Sequence, residues 1–318
     1  MTETMAGTRT IAFMNQKGGV GKTTTAVNLA AALARAGRRI GVIDLDPQAH
    51  LTLHLGAEVS AESPSVYHVL VDEETTVDEA IIRLTDHLVL LPAETDLAGA
   101  EVELASAPDR TSRLARKCAA STALRDLDFL LIDCPPSLGL LTLNALVLAR
   151  EVMVPMQAHF LALQGLSKLL ETVSLMSRSV NPDLCVTGIL LCMYEGQTRL
   201  AAEVVSDLEA FLESAREQAV PWRDCRVLRP AIRRNIKLAE CPSFGTSVFE
   251  YDPHCQGAED YLALAESLVK CGPTDLQGHS IGIKPDRAPA PPEVVVAPSA
   301  RVDQRVPQHA SSQTAGQP

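Results

Sequence analysis

The 318-residue sequence has no pair of cysteines at C-x-x-C spacing and no histidine partner at zinc-finger spacing, although it carries eight cysteines. That absence argues against zinc modules and disulfide scaffolds, so Cys118, Cys134, Cys185, Cys192, Cys225, Cys241, Cys255 and Cys271 read mostly as buried thiols. No apolar run is long enough for a bilayer; the longest, Leu138 to Ala149, is interrupted by Thr142 and Asn144. About nine residues precede the first expected strand, without a basic-then-apolar leader, which points away from secretion and toward the cytoplasm. Positive charge is not in excess either: the formal net charge is −11, which taken alone argues against a nucleic-acid partner. No internal repeat is visible. What remains is a chain with 46% hydrophobic residues, enough to bury one large α/β domain.

The most informative segment present is Gln16-Lys17-Gly18-Gly19-Val20-Gly21-Lys22-Thr23-Thr24-Thr25. A plain P-loop, G-x-x-x-x-G-K-[ST], would need glycine where Gln16 stands, so the pattern here is K-G-G-x-G-K-T instead. Gly18, Gly19 and Gly21 allow successive backbone N–H groups to approach phosphate oxygens, and the helix that follows directs its positive end at the same anion. Lys22 reaches the terminal phosphates, Thr23 offers its hydroxyl to Mg²⁺, and Lys17 stands at the opposite lip as a second cation. An apolar strand, Thr10 to Met14, precedes the loop, and an alanine-rich helix, Thr24 to Ala36 closed by Gly37, follows it. A glycine turn in an unrelated α/β protein would supply strand and helix, but not two lysines and a threonine at these offsets.

Two further strands end in acids. Arg39 to Ile43 leads into Asp44-Leu45-Asp46-Pro47-Gln48, and Phe129 to Ile132 into Asp133-Cys134-Pro135-Pro136. Ligands bind at the carboxyl edge of parallel sheets. Residues i and i+2 of an extended chain share a face, so Asp44 and Asp46 can both address a Mg²⁺–phosphate region. An apolar run ending in Asp is a weak signal alone and a strong one about a hundred residues after a P-loop.

Alternation continues with a helix over Leu138 to Ala149, a strand over Val152 to Pro155, a helix over Leu163 to Val180 and a strand over Val186 to Met193. Helices over Leu200 to Gln218 and Gly257 to Lys270 close the domain, with a less regular stretch from Val220 to Tyr251. This order predicts an α/β fold, a doubly wound, mostly parallel sheet flanked by helices. The expected division is a short disordered lead over 1–8, one α/β domain over 9–271 and a disordered Pro/Ala-rich tail over 272–318, whose few large apolar residues cannot offset ordering entropy.

Lys17 to Thr25, Asp44 to Gln48 and Ile132 to Ser137 resemble the deviant Walker A, switch I and switch II segments of the ParA/Soj/MinD family of partitioning ATPases. The likeness runs on through Gly165-Leu166, Gly188-Ile189-Leu190, Arg234 to Leu238, Glu240 to Gly245 and Tyr251-Asp252-Pro253, the last two like segments of the chromosomal ParA, or Soj, branch, and covers residues 9 to 271. The resemblance implies an ATP- and Mg²⁺-dependent ATPase in which Lys17, Gly18, Gly19, Val20, Gly21, Lys22, Thr23 and Thr24 bind the nucleotide, with Asn235 as the adenine contact. It implies that Thr23 and, through water, Asp133 hold the metal, that Asp46 orients the attacking water, and that Asp44 is structural or Mg²⁺-linked. It further implies a homodimer closed around two ATP molecules, Lys17 of each subunit reaching the other's nucleotide, and a hydrolysis-stimulating partner like ParB with a basic N-terminal segment.

Between Arg223 and Lys237 stand Arg223, Arg226, Arg229, Arg233, Arg234 and Lys237 against Asp224 alone, a pattern that suits phosphate contact as well as it suits a solvated basic face. Relatives hold nonspecific DNA with basic residues in this region when ATP-bound, so the resemblance makes Arg199, Arg223, Arg226, Arg233, Arg234 and Lys237 the DNA-binding candidates and the nucleoid the expected location. Gln197 stands where relatives often carry arginine. Three other readings are a ParA-like ATPase moving a plasmid or protein assembly, a MinD-like membrane-surface ATPase, and a metabolic P-loop enzyme such as a kinase or amidoligase. The membrane reading needs a C-terminal amphipathic helix with a basic face, which Pro285, Pro289, Pro291, Pro292, Pro298 and Pro307 would break.

Overall fold

Apolar strands without alternation need cover on both faces, and the helices that separate them supply it. A computed structural model of the chain describes residues 7–60, 62–159 and 162–270. The expected tail, 272–318, and the first six residues of the expected lead lie outside the described residues. The strands are β1 (Arg9–Phe13), β2 (Ile40–Asp44), β3 (Ile82–Thr85), β4 (Leu88–Leu91), β5 (Phe129–Asp133), β6 (Glu151–Met156), β7 (Cys185–Leu191) and β8 (Arg226–Val227). They form one sheet in the order β3-β4-β2-β5-β1-β6-β7-β8, parallel throughout except for the β3–β4 pair. The helices are α1 (Lys22–Arg35), α2 (His50–His54), α3 (Val66–Val71), α4 (Val77–Ala80), α5 (Ala100–Leu104), α6 (Arg113–Ala120), α7 (Leu140–Leu148), α8 (Ala162–Ser179), α9 (Arg199–Ala215), α10 (Lys237–Glu240), α11 (Val248–Tyr251) and α12 (Gln256–Lys270).

The doubly wound, mostly parallel sheet is therefore what the chain forms. Successive strand residues feed opposite cores: Ile11 and Phe13 pack with α1 and α12 on one face, whereas Ala12 joins Leu146, Leu169 and Leu208 on the other. β1, β2 and β5 are buried at every residue, as strands covered on both sides must be. Within β1 the first buried residue is charged, and Arg9 is matched by Glu151 on neighbouring β6 at 2.8 Å, with Nη1 also donating to the Leu268 carbonyl. The sheet's edges are short. At one end β8 has two residues; at the other, β3 is antiparallel and its register slips between Arg83 and Thr85.

The elements absent from the sequence reading lie mainly between residues 50 and 128. There α2 to α6 are each eight residues or shorter, and β3 and β4 have four residues apiece. Such segments carry too few turns for a helical period to register. The stretch from Val220 to Tyr251, expected to be irregular, holds only β8, α10, α11 and a 3-10 turn over Cys241–Phe244.

Candidate active site

The loop between β1 and α1 turns through glycines in the left-handed region, Gly19 at φ 70° and Gly21 at φ 97°, where a side chain would strain the backbone. Gly21 also presses on Cys192, whose Sγ lies 3.2 Å from where a Cβ would sit. The loop is tied down by residues from other elements. Asn15 donates to the Pro155 carbonyl at 2.8 Å and accepts from the Lys17 N–H at 3.0 Å, and Gln157 Nε2 donates to the Gly19 carbonyl at 3.2 Å. Beside the loop opens a cavity of about 260 Å³ lined by Asn15, Gln16, Lys17, Val20, Met156, Gln157 and Gly165. Lys17 is exposed at its lip, while Lys22 is buried beneath the loop at the first position of α1.

Three carboxylates gather at the same edge of the sheet. Asp44 and Asp133 end β2 and β5 side by side in register. Both are fully buried, and two like charges held close in a dry site resist ionisation together. Burial, then repulsion from Asp44, pushes Asp133 up to about 8, against the Thr23 hydrogen bond and the Lys22 charge, which pull it down. Burial raises Asp44 to about 6, moderated by its hydrogen bonds. The occupancy of the two groups differs. Asp44 accepts from Thr52 N–H at 2.9 Å and Thr52 Oγ1 at 2.8 Å on one oxygen and from Asp46 N–H at 3.1 Å on the other, so it organises the switch I turn. Asp133 accepts from Thr23 Oγ1 at 2.6 Å through Oδ2, while its buried Oδ1 has no hydrogen-bond partner among the described residues.

An unpartnered buried carboxylate oxygen beside a threonine hydroxyl and an ammonium fits a divalent cation, which would restore the ionised form that burial opposes. Asp46, half-exposed, accepts from the Gln48 N–H at 3.0 Å through Oδ1.

The remaining candidates are spread more widely than their sequence spacing suggests. Asn235 accepts from the Lys237 N–H at 2.8 Å. Arg226 is level with Gly188 midway along β7 and shares a cavity with Arg9, the first residue of β1, whereas Arg233 is level with Tyr194, past the end of β7. Arg223 follows Pro221, whose carbonyl accepts from Val186 near the start of β7, so it and Arg226 lie toward the amino side, whereas Arg233, Arg234 and Arg199, the first residue of α9, lie past the carboxyl end of β7. Most are already paired: Arg199 with Glu203 at 2.9 Å, Arg229 with Glu209 at 3.0 Å, Arg234 with Glu195 at 2.5 Å and Lys237 with Glu240 at 2.9 Å. Arg233 is the most firmly held, with side chain and backbone N–H both on the buried carboxylate of Asp260. The cysteines expected to be buried thiols are so at Cys118, Cys134, Cys192, Cys225 and Cys241, and burial pushes all five away from the thiolate.

Thr52, Gln157 and the Cys192–Thr25–Tyr261 contacts behind the loop were not legible in the sequence, because each arrives from an element distant in the chain. Asn15 alone left a local signal, an Asn two residues before the amide it caps.

Comparison with known proteins places this geometry in context. The AAA_31 family, an AAA domain, matches residues 8–186. The sporulation initiation inhibitor protein Soj of Bacillus subtilis is 42% identical over 262 residues, spanning 82% of this chain and 98% of Soj. The chromosome-partitioning ATPase Soj of Thermus thermophilus is 45% identical over 266 residues, 83% of this chain and 96% of that protein. Among solved structures, cobyrinic acid a,c-diamide synthase from Mycobacterium smegmatis with bound ADP and magnesium is 37% identical with a TM-score of 0.68, covering 83% of this chain and 95% of its own.

Proposed function

The chain belongs to the ParA/Soj family of chromosome-partitioning ATPases, and from that premise we propose that it is an ATP-dependent dimeric switch that holds nonspecific DNA in its ATP state and releases it on hydrolysis. The observation that carries the reading is the Thr23–Asp133 hydrogen bond with the unpartnered Asp133 Oδ1 beside it, at the carboxyl edge and next to Lys22. The loop N–H groups, Lys22 and Thr24 hold the phosphates; Thr23 and, through water, Asp133 hold Mg²⁺. Bound there, Mg²⁺ would neutralise phosphate charge as it develops in phosphoryl transfer. Asp46 orients the attacking water from its half-exposed position, where that water can exchange with solvent.

Lys17 stands exposed at the lip of the loop, where it is available to a nucleotide in a second subunit, so ATP joins the dimer. Asn235 serves the base. A partner resembling ParB, with a basic segment suited to the acidic bulk surface, stimulates hydrolysis, and the protein works in the cytoplasm on the nucleoid. Among the described residues no helix is long and apolar enough to cross a membrane.

The test is fluorescence anisotropy of a random-sequence duplex titrated at one fixed salt in ATP, ADP or no nucleotide, with wild type, Asp46→Ala and Lys17→Ala. Expected are ATP-dependent binding by wild type, prolonged binding by Asp46→Ala, and loss of both dimer and DNA binding in Lys17→Ala. Binding that ignores nucleotide rejects the switch. ATP hydrolysis with no DNA binding would instead favour amide-forming chemistry of the kind named for the Mycobacterium smegmatis relative.

A further inference from the structure

Helix α7 follows the switch II loop, and its first turn has unsatisfied N–H groups that its own N-cap, Gly139, has no side chain to satisfy. The missing cap comes from elsewhere in the fold. Glu101 on α5, 40 residues away in sequence, accepts from the Leu141 N–H at 3.3 Å. Its carboxylate occupies the space a Cβ on Gly139 would need, with Oε1 1.9 Å and Oε2 2.6 Å from that position. Gly139 itself has φ −94° and ψ −168°, extended backbone open to any residue, so conformational freedom does not explain a glycine there. The close approach of Glu101 does.

The loop between Asp133 and Gly139 is thus anchored at both ends. At its start stands the Asp133–Thr23 bond; at its end, Thr142 Oγ1 donates to the Ser137 carbonyl at 2.7 Å and Glu101 holds the helix start. A carboxylate at a helix N-terminus also gains from the helix dipole, a gain lost if it swings away.

We propose that Glu101 is a positioning residue for the ATPase reaction, a latch that fixes the switch II loop from outside the nucleotide site and that requires glycine at position 139. The proposal rests on the ATPase reading above. Ground-state phosphate contacts belong to the P-loop, which Glu101 does not touch, so releasing the latch should slow turnover rather than weaken ATP binding.

The experiment compares wild type, Glu101→Ala, Glu101→Gln, Gly139→Ala and the Glu101→Ala/Gly139→Ala double variant by steady-state ATP hydrolysis and by hydrogen exchange of peptides covering residues 134–148. Because the carboxylate is the mobile end of a side chain, a methyl at 139 should expel it without unfolding the chain. Expected for Glu101→Ala and for Gly139→Ala is a kcat lowered about three- to tenfold with KM for ATP within about twofold. Exchange in the loop and first turn should be faster in both. Glu101→Gln, whose amide oxygen still accepts from Leu141, should keep more than about half of the wild-type kcat. The double variant should fall no lower than the worse single one, since both remove the same contact.

A wild-type kcat in Glu101→Ala, unchanged exchange at residues 134–148, or losses that multiply in the double variant would overturn the latch. Wild-type protein that hydrolyses no ATP would defeat the ATPase reading instead, leaving the exchange comparison to decide whether Glu101 holds the loop.

Discussion

At pH 7 a carboxylate raised to about 8 is mostly protonated, and Asp133 in the nucleotide-free protein is such a group. Between about pH 4 and about pH 8 the folded protein keeps protons at Asp133 that the unfolded chain has released, so its stability falls as pH rises through that window. Asp44 adds the same trend up to about pH 6. His54 opposes them: burial lowers it to about 4, so acidification from about pH 6.5 protonates the unfolded chain first and stability falls on that side. His54 cancels only one of the two carboxyl slopes, so stability should fall from about pH 4 to about pH 6, level off to about pH 6.5 and fall again to about pH 8, leaving the nucleotide-free protein most stable near about pH 4. Asp133→Asn, still able to accept from Thr23, should match wild type near pH 4 and melt progressively higher as pH rises, by at least about 5 °C at pH 8, read by differential scanning fluorimetry. It should hydrolyse no ATP. Equal melting of the two proteins at pH 8 would refute the assigned protonation. That Thr23 and Asp133 would meet was legible in the sequence, from the phosphate-loop offsets for the first and an apolar strand ending in an acid for the second. The burial that protonates Asp133 was not, since it depends on Asp44 across the sheet.

Short elements hold one another by exchanging caps. Leu114, in the first turn of α6, donates its N–H to Asn144 Oδ1 on α7 at 3.1 Å, while Asn144 Nδ2 donates to the Arg110 carbonyl at 2.7 Å. Neither α6 nor α7 is capped by the side chain of its own N-cap residue. Asn144→Ala would leave an N–H and a carbonyl unpaired in a buried place and should cost about 2–4 kcal/mol, measured by urea denaturation. A loss below about 0.5 kcal/mol would mean that water takes over these bonds. Long elements were legible from the sequence: the expected helix over Leu163 to Val180 is α8, Ala162–Ser179, and the expected strand Phe129 to Asp133 is β5. Elements such as α5, with five residues of which Val102 and Glu103 are exposed, have no period to read and owe their place to neighbours. Asn144 read only as a break in an apolar run.

Across the whole molecule, cations contiguous in sequence separate in space. Arg223 and Arg226 lie toward the amino side of the sheet, Arg226 beside Arg9 at the start of β1, whereas Arg199 and Arg234 lie past the carboxyl end of β7, on the side of the nucleotide loop. Arg199→Ala with Arg234→Ala should weaken ATP-dependent DNA binding at least about tenfold and flatten its salt dependence, whereas Arg226→Ala should change it less than about twofold. Anisotropy at two salt concentrations checks this, and the reverse ranking would move the DNA to the other edge. Linear spacing concealed the split because the chain from Pro221 to Arg233 runs alongside β7 from near its start to past its end, and it concealed the pairing of Arg233 with Asp260 across 27 residues.

The sheet's outer strands carry a consequence for a protein that would be crowded along a duplex. A long, flat outer strand offers a row of open amides and carbonyls on which a neighbouring copy can add, and local crowding favours that reaction. Here one margin is two residues long and the other is reversed and kinked at Arg83, so neither presents a template of useful length. High local concentration can then be tolerated without cross-β growth, and any ordered array must be built from side-chain surfaces, which remain reversible.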